Sequence, residues 1–115
     1  MVQNNISWVK GLYDAEIVDV KKENYIYDYK QKNPTRNMFE IVIEANQAMN
    51  DTSIKSIRLY NYKVIAGSED IVHAWWYEDE ITEINGLKKL KLILRHSKGK
   101  FSEIIIMFDK MEIVR

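Results

Sequence analysis

Two pairs of carboxylates stand at a spacing that acid–base chemistry could use. Asp14 and Glu16 are two residues apart, as are Glu78 and Glu80, so each pair shares one face if its segment is a strand. Two neighbouring carboxyl groups can act as general acid and general base when their surroundings separate their pKa values. The sequence identifies no pocket that would do this. We therefore interpret both pairs as exposed polar strand faces and predict no catalytic residue.

Nucleophilic, metal and phosphate chemistry have less support. The chain has no cysteine, and its two histidines, His73 and His96, lie far apart without the spacing of a metal-binding motif. Neither a glycine-rich phosphate loop nor a G-x-S-x-G nucleophile motif is present. The sequence thus predicts structural histidines, no metal site, no cofactor and no enzymatic activity.

A stronger signal lies in residues 67–84, which carry six acidic residues and neither lysine nor arginine. In a strand, Trp75 and Trp76 must point to opposite faces, and the register given below turns Trp75 inward and Trp76 outward. An exposed tryptophan rimmed by acids suits a basic protein partner, because aromatic anchors and complementary charge favour binding. Alternatively, the segment around Trp8 covers Trp76. The predicted partner-binding residues are Trp76, Glu78, Glu80, Glu69 and Asp70.

Tyrosines offer a second candidate surface. Tyr25, Tyr27 and Tyr29 alternate along one segment, and Tyr60 and Tyr62 along another. If the two strands are neighbours, the five rings form a platform that could bind a small ligand or stack on single-stranded nucleic acid. The competing interpretation is structural, because tyrosine is a good strand former and aromatic pairs stabilise sheets.

Composition limits the class of protein and partner. The chain has 115 residues, with 17 basic and 17 acidic side chains and a formal net charge of zero. DNA-binding domains usually carry an excess of basic residues, so nucleic acid is disfavoured as a partner. The first residues lack the pattern of a signal peptide, and no apolar run is long enough to cross a membrane. We expect one cytoplasmic domain over residues 1–115, without membrane contact.

The elements that position these residues are mainly strands. In "MFEIVIEA" (38–45), apolar and acidic residues alternate as in a half-buried strand. One short helix is predicted over residues 68–74, with Ser68 as its N-cap. Further strands are predicted at 15–20, 25–29 and 56–65. The expected fold class is mostly β, a strongly bent antiparallel sheet or small β-sandwich of about seven or eight strands with at most one short helix.

A hairpin explains the reversal of charge across residues 78–95. Asn85-Gly86 favours a two-residue turn, because both residues of such a turn need positive φ. The acids of the first strand then face the bases of the second, which stabilises the pair and fixes its register. The predicted cross-strand pairs are Ile81–Leu90, Glu80–Lys91, Glu83–Lys88, Tyr77–Leu94 and Trp75–His96.

A second turn extends the hairpin into a third strand. "HSKGK" (96–100) fits a three-residue loop with Gly99 in the left-handed conformation. The tail "MEIVR" is expected to continue the sheet past a bulge at residues 109–110. The predicted pairs across the second turn are Leu92–Ile104 and Leu90–Ile106.

Parts of the chain resemble known bacterial families. "GLYDAEI" (11–17) resembles the strand-opening His/Tyr-Asp-x-x-Ile signature of small β-rich bacterial proteins of uncharacterised function. "WWYEDEITEING" and "IIIMFDKMEIV" are similar to the C-terminal half of these proteins, so the resemblance covers about half of the chain. Some such families occur beside toxin genes and are taken to be immunity proteins. Tyr13 stands where the families often have histidine, which removes a metal-ligand role there.

This resemblance implies a binding module that covers the active site of a toxin and has no catalytic residues. The leading hypothesis is therefore a cytosolic immunity or antitoxin-like protein that binds and neutralises a partner protein. The alternative is a β-domain that binds a small ligand or single-stranded nucleic acid through the tyrosine-rich face. An enzyme built on the carboxylate pairs is the third class, and the oligomeric state is left open.

Overall fold

The regular secondary structure of the described chain consists almost entirely of antiparallel strands. A computed structural model describes residues 11–23, 26–28, 33–35 and 37–115 of the chain. The strands are β1 (Glu16–Glu23), β2 (Ile26–Asp28), β3 (Asn33–Thr35), β4 (Met38–Glu44), β5 (Ser56–Tyr60), β6 (Lys63–Ala66), β7 (Trp75–Ile84), β8 (Leu87–Arg95), β9 (Phe101–Phe108) and β10 (Lys110–Val114). Eight of them form one sheet in the order β10-β5-β4-β1-β7-β8-β9-β6, and β2 pairs with β3. The predicted mostly-β, strongly bent antiparallel fold is confirmed.

Both ends of the strand order in the large sheet are formed by the same two segments of chain, residues 56–66 and residues 101–114. β5 leads into β6 after two residues, and β9 leads into β10 after one. The register is the same on both sides of these breaks, with Tyr60 opposite Lys110 and Lys63 opposite Met107. The two segments thus form one long antiparallel ladder. Because this ladder contains both ends of the strand order, the sheet closes on itself.

A kink at Asn61 and Asp109 lets the long ladder turn a corner. Asn61 has a φ of 52°, which an extended strand does not allow, and its Nδ2 donates to Asp109 Oδ2 at 2.6 Å. The Asp109 N–H donates to the Tyr60 carbonyl at 3.1 Å. These bonds satisfy polar groups where the ladder is interrupted. The prediction that the tail continues past an irregularity at residues 109–110 is confirmed, and its partner is β5.

Apolar side chains fill the interior of the closed sheet. Leu90 and Leu92 pair with Ile106 and Ile104 as predicted, and all four are fully buried. Burial of one such side chain contributes roughly 1.5–3 kcal/mol to stability. The same core contains Leu12, Ile17, Phe39, Ile41, Ile54, Ile57, Leu59, Ile71, Trp76, Ile81, Leu94 and Phe108.

β1 and β7 meet over a short seam. Glu16 pairs with Trp75, and the flanking backbone adds further hydrogen bonds. The Ile17 N–H donates to the Ala74 carbonyl at 2.8 Å, and the His73 N–H donates to the Ile17 carbonyl at 2.8 Å. The backbone groups of residues 73–74, just before β7, therefore make their hydrogen bonds with β1.

These hydrogen bonds to β1 explain why the predicted helix over residues 68–74 does not form. Ser68 Oγ accepts a hydrogen bond from the Asp70 N–H at 3.0 Å, as a helix N-cap would. The chain then turns at His73, whose φ is 75°, and a helix cannot continue through that conformation. In the described chain the helical structure is limited to a 3-10 turn at Ser97–Gly99, where Gly99 has the predicted positive φ of 71°.

The hairpin turn and the strand pairing next to it agree with the prediction from the sequence. Asn85 and Gly86 have φ values of 53° and 81°. From Glu78 to Ile84 the pairing with β8 is as predicted, with Ile81 opposite Leu90 and both buried.

Within the described residues, no helix has the length and apolar character that a membrane span requires.

A β-bulge at Tyr77 changes the pairing in the half of the hairpin that lies farther from the turn. The bulge shifts the register by one residue, and such a shift reverses which face each side chain takes. The prediction that Trp76 points outward is therefore wrong, because its side chain lies in the core with 1% of its surface exposed. In place of the predicted pairs Tyr77–Leu94 and Trp75–His96, the structure has Trp76–Leu94 and Trp75–Arg95.

Replacing Asn85-Gly86 by Val-Val should destabilise the protein by about 2–4 kcal/mol, because β-branched residues adopt positive φ at high cost. A Cβ built on Gly86 meets no atom within 4 Å, so the loss would come from backbone conformation and not from collision. Urea unfolding followed by tryptophan fluorescence measures the free energy. Asn85→Asp keeps the turn preference and should have little effect. Unchanged stability of the Val-Val variant would contradict the turn.

Truncating Trp76 to Ala should destabilise the protein by about 3–5 kcal/mol, the usual cost of deleting a buried aromatic ring. Trp75→Ala is the matched control and should cost clearly less, since Trp75 is only half-buried on the outer face. Chemical unfolding of both variants gives the comparison. A larger loss for Trp75→Ala would mean that the bulge does not turn Trp76 inward.

Candidate functional site: an acidic cavity beside an aromatic cluster

The bulge at Tyr77 places an acid on the same side of β7 as the buried tryptophan. Because the bulge adds one residue, Trp76 and Asp79 both face inward although they are three residues apart, and Asp79 lies opposite the buried Leu92. Trp76 Nε1 donates a hydrogen bond to Asp79 Oδ2 at 2.8 Å. A buried indole N–H needs such an acceptor. The bond fixes the Asp79 carboxylate at the edge of the core.

Partial burial raises the pKa of the Asp79 carboxyl above its ordinary value of 3.8, and the hydrogen bond from Trp76 opposes this rise only in part. Burial acts in this direction because it removes water from the charged form. A cation bound beside Asp79 would stabilise that charged form. The rise in pKa therefore reflects the position of this carboxyl at the edge of the core.

A cavity of about 300 Å³ opens beside Asp79. Its lining residues are Glu78, Asp79 and Glu80 from β7 and Lys91 and Ile93 from β8. We call this the acidic cavity.

Lys91 does little to neutralise the acidic cavity. Its Nζ lies 3.5 Å from Glu103 Oε2 on β9, on the side of β8 away from β7. Glu78 and Glu80 are exposed, and neither forms a salt bridge with another described residue. The cross-strand position of Glu80 opposite Lys91 is as predicted, but the lysine ion pair is made with Glu103. The local charge is therefore negative.

Three aromatic rings lie next to the acidic cavity on the outer face. The ring centroid of Tyr77 is 5.8 Å from that of Tyr13 and 4.9 Å from that of Phe101. Tyr13 is 45% exposed and Phe101 54% exposed, so the rings pack on one another and still face solvent. We call Tyr13, Tyr77 and Phe101 the aromatic cluster. Exposed aromatic side chains of this kind are typical anchors in protein interfaces.

The loop that carries Tyr13 is held by polar contacts on both sides. Gly11 and Asp14 have φ values of 73° and 70°, so the chain is left-handed before and after the ring. Asn50 is buried and donates from Nδ2 to the Tyr13 carbonyl at 2.9 Å. Arg95 Nη2 donates to Asp14 Oδ1 at 2.7 Å. A non-glycine residue keeps such a conformation only where its surroundings fix it, so Tyr13 is presented by a fixed backbone.

Residues 69–70, predicted to share a surface with the cavity acids, lie elsewhere. Glu69 accepts a hydrogen bond from Lys22 Nζ at 2.9 Å. Lys22 lies six residues along β1 from the pair that joins β1 to β7, and Glu80 lies five residues along β7 in the opposite direction. At about 3.3 Å per residue, these are separations of about 20 Å and about 16 Å from that pair. Glu69 and Asp70 therefore do not contribute to the cavity.

The described tyrosines do not form one platform. Tyr60 lies on the outer face, where its hydroxyl donates to Glu112 Oε1 at 3.0 Å. Tyr62 packs against the core, with its ring centroid 5.2 Å from that of Phe39. The left-handed Asn61 between them turns the two rings to opposite sides of the sheet. Tyr25, Tyr29 and the side chain of Tyr27 lie outside the part of the chain that the structure describes.

Around Tyr60 the charged side chains contact one another. Arg58 on β5 lies between Glu40 on β4 and Glu112 on β10, with N–O distances of 3.1 Å to both. These carboxylates raise the pKa of Arg58, with Glu40 as the larger cause, and the hydroxyl of Tyr60 and the guanidinium of Arg58 lower the pKa of Glu112. Ser56 also donates to the buried Glu40 at 2.5 Å. The side chains of Glu40, Arg58 and Glu112 therefore serve to join β4, β5 and β10.

Sequence reasoning missed Tyr13, Asp79 and Phe101 as site residues. Backbone irregularities bring each of them to the surface described here: a left-handed loop, a bulge and the 3-10 turn that precedes β9. One signal existed for Asp79, because the predicted register already placed this charged residue opposite Leu92 on the apolar strand β8.

Neither histidine adds to the site. His73 is exposed, with Nδ1 3.9 Å from Glu16 Oε2, and His96 Nε2 lies 2.5 Å from Ser102 Oγ. In the described part of the chain, no group of three or more histidine, aspartate or glutamate side chains could hold a metal ion.

Comparisons with protein-family models, curated proteins and solved structures found no match. The resemblance of residues 11–17 to small β-rich bacterial proteins therefore stays a prediction, and the functional argument depends on the site itself.

Replacing Asp79 by Asn should change how stability depends on pH. Burial raises the pKa of the folded-state carboxyl, so the folded protein holds this proton more tightly than the unfolded chain does. Its contribution to stability is complete below the unfolded value of 3.8 and is lost as the pH rises through the folded value. The stability of Asp79→Asn relative to the unmodified protein should therefore rise between about pH 3.5 and pH 7.

Urea unfolding of both proteins at the two pH values tests this expectation. Glu80→Gln is the matched control, because Glu80 is exposed beside the same cavity and should show no comparable rise. A constant difference between Asp79→Asn and the unmodified protein would show that the Asp79 carboxyl is not perturbed.

Proposed function

We propose that the protein binds a basic partner protein through the acidic cavity and thereby neutralises it, as immunity and antitoxin proteins do. The observation that carries this proposal is the pair of exposed carboxylates, Glu78 and Glu80, in the lining of one cavity, where Lys91 is engaged by Glu103. Complementary charge of this kind directs the encounter with a partner and sets its orientation.

The distribution of charge supports this function better than the total does. The chain as a whole has a formal net charge of zero, so it has no long-range attraction for a basic partner. At the acidic cavity Glu78 and Glu80 have no salt bridge to a described residue, whereas Glu40 and Glu112 both contact Arg58 on another part of the sheet. A negative region on an otherwise balanced surface favours one docking position.

Size and lining favour a protein side chain over a small free ligand. Small-molecule sites are commonly about 300–1,000 Å³ and mainly apolar. The cavity here, at about 300 Å³, is at the lower limit, and four of its five lining residues are charged. Its carboxylates also repel the phosphates of nucleic acid. We place the activity in the cytoplasm, where the sequence analysis predicts the protein.

Glu78→Lys should slow association with the partner by about tenfold at low salt and flatten the salt dependence of the rate. The partner to test is the product of the adjacent gene, with stopped-flow or surface-based kinetics at several ionic strengths. Glu23→Lys is the matched control, because it makes the same change in total charge on an exposed residue of β1. It should leave the association rate close to that of the unmodified protein.

Equal slowing by both variants would show that total charge, and not the cavity, controls the encounter. Unchanged kinetics for Glu78→Lys would place the interface on another surface. Absence of binding to the adjacent gene product would contradict its assignment as the neutralised partner.

A further inference from the structure

The aromatic cluster and the acidic cavity form one continuous surface. Tyr77 directly precedes Glu78 in β7, and Ile93 in the cavity wall pairs with Glu78 on one side and Glu103 on the other. Phe101 lies two residues before Glu103 on the same face of β9, a separation of about 7 Å. Exposed rings and exposed carboxylates therefore lie along one face, within reach of one bound segment of a partner protein.

The protein already binds a guanidinium group next to this surface. Arg95 lies with its guanidinium carbon 5.6 Å from the centre of the Trp75 ring, and its Nη2 donates to Asp14 Oδ1 at 2.7 Å. A guanidinium can do both at once because it is planar, stacks on aromatic faces and carries donors in a fixed fork. One ring and one carboxylate thus form a guanidinium site within the fold, and the same two kinds of group recur beside it.

The charge of this surface favours a further cation. Four carboxylates and three cations lie on its outer face, and two of the cations are each already paired with one carboxylate. The carboxylates that remain are those of the acidic cavity. The four acids are Asp14, Glu78, Glu80 and Glu103. The three cations are Lys89, Lys91 and Arg95, of which Lys91 and Arg95 are the paired ones.

The rings also need little reorganisation to receive a ligand. The ring of Tyr77 packs against both Tyr13 and Phe101, and the backbone of Tyr13 is fixed by the bond from Asn50. Side chains that are ordered before binding lose little conformational entropy on binding. A group that stacks on the aromatic cluster therefore keeps most of its interaction free energy.

We infer that this surface recognises arginine side chains of the basic partner, an inference that depends on the function proposed above. One guanidinium stacks on the exposed aromatic cluster, and another, farther along the sheet, donates hydrogen bonds to Glu78 and Glu80. Lysine carries the same charge but has no planar group to stack and no fork of donors. The surface is therefore selective for arginine over lysine at equal charge.

Binding of two synthetic peptides tests this selectivity. Fluorescein-labelled hexa-arginine amide and hexa-lysine amide have equal charge, and fluorescence anisotropy at low salt gives their affinities for the full chain. The arginine peptide should bind about two- to fivefold more tightly. Phe101→Ala should remove most of this preference by weakening the arginine peptide alone, and the residue is exposed enough for the variant to fold.

Leu87→Ala is the matched control, because Leu87 is 50% exposed at the far end of the same hairpin and should leave both affinities unchanged. Glu78→Gln combined with Glu80→Gln should weaken both peptides alike. If both peptides bind equally and this double variant weakens both, arginine selectivity is overturned and the acidic binding surface stands. If neither peptide binds, or the double variant has no effect, the proposed basic partner is overturned as well.

Discussion

The fold depends on one kinked antiparallel ladder between residues 56–66 and residues 105–114. This ladder joins the two ends of the sheet, so the inward leucines and isoleucines of β8 and β9 are enclosed by strands on every side. The corner at Asn61 and Asp109 bends this ladder between its β5–β10 part and its β6–β9 part. Closure also reduces the unpaired backbone that an open sheet exposes at its two edges.

The bulge at Tyr77 is the second constraint, and the candidate site is its direct result. A regular strand would place Trp76 in solvent and leave Asp79 without its indole partner. The extra residue turns Trp76 into the core and leaves Tyr77 packed against exposed rings on the outer face. Bulges often re-aim side chains beside functional surfaces, and here one bulge shapes both the acidic cavity and the aromatic cluster.

Charged residues serve two different purposes on this sheet. In the row Glu40, Arg58 and Glu112, each charge has a partner on the neighbouring strand, and the row stabilises the sheet. In the lining of the acidic cavity the acids exceed the one cation, Lys91, which already contacts Glu103. Uncompensated charge is unfavourable for the isolated protein and becomes favourable when a partner of opposite sign binds. This contrast is the physical basis for assigning a binding role to one face and a structural role to the other.

The sequence by itself determined the elements whose signals are local. Alternation of apolar and polar residues identified the strands, and Asn85-Gly86 set the turn together with the register of the hairpin from Glu78 onward. Tertiary structure alone decided closure, because the pairing of β5 with β10 joins segments about 50 residues apart and leaves no local pattern. It also decided the bulge, the loss of the helix over residues 68–74 and the position of Glu69. In each case backbone N–H and C=O groups form hydrogen bonds with a strand or turn that is distant in the sequence. A single sequence does not show which distant groups these will be.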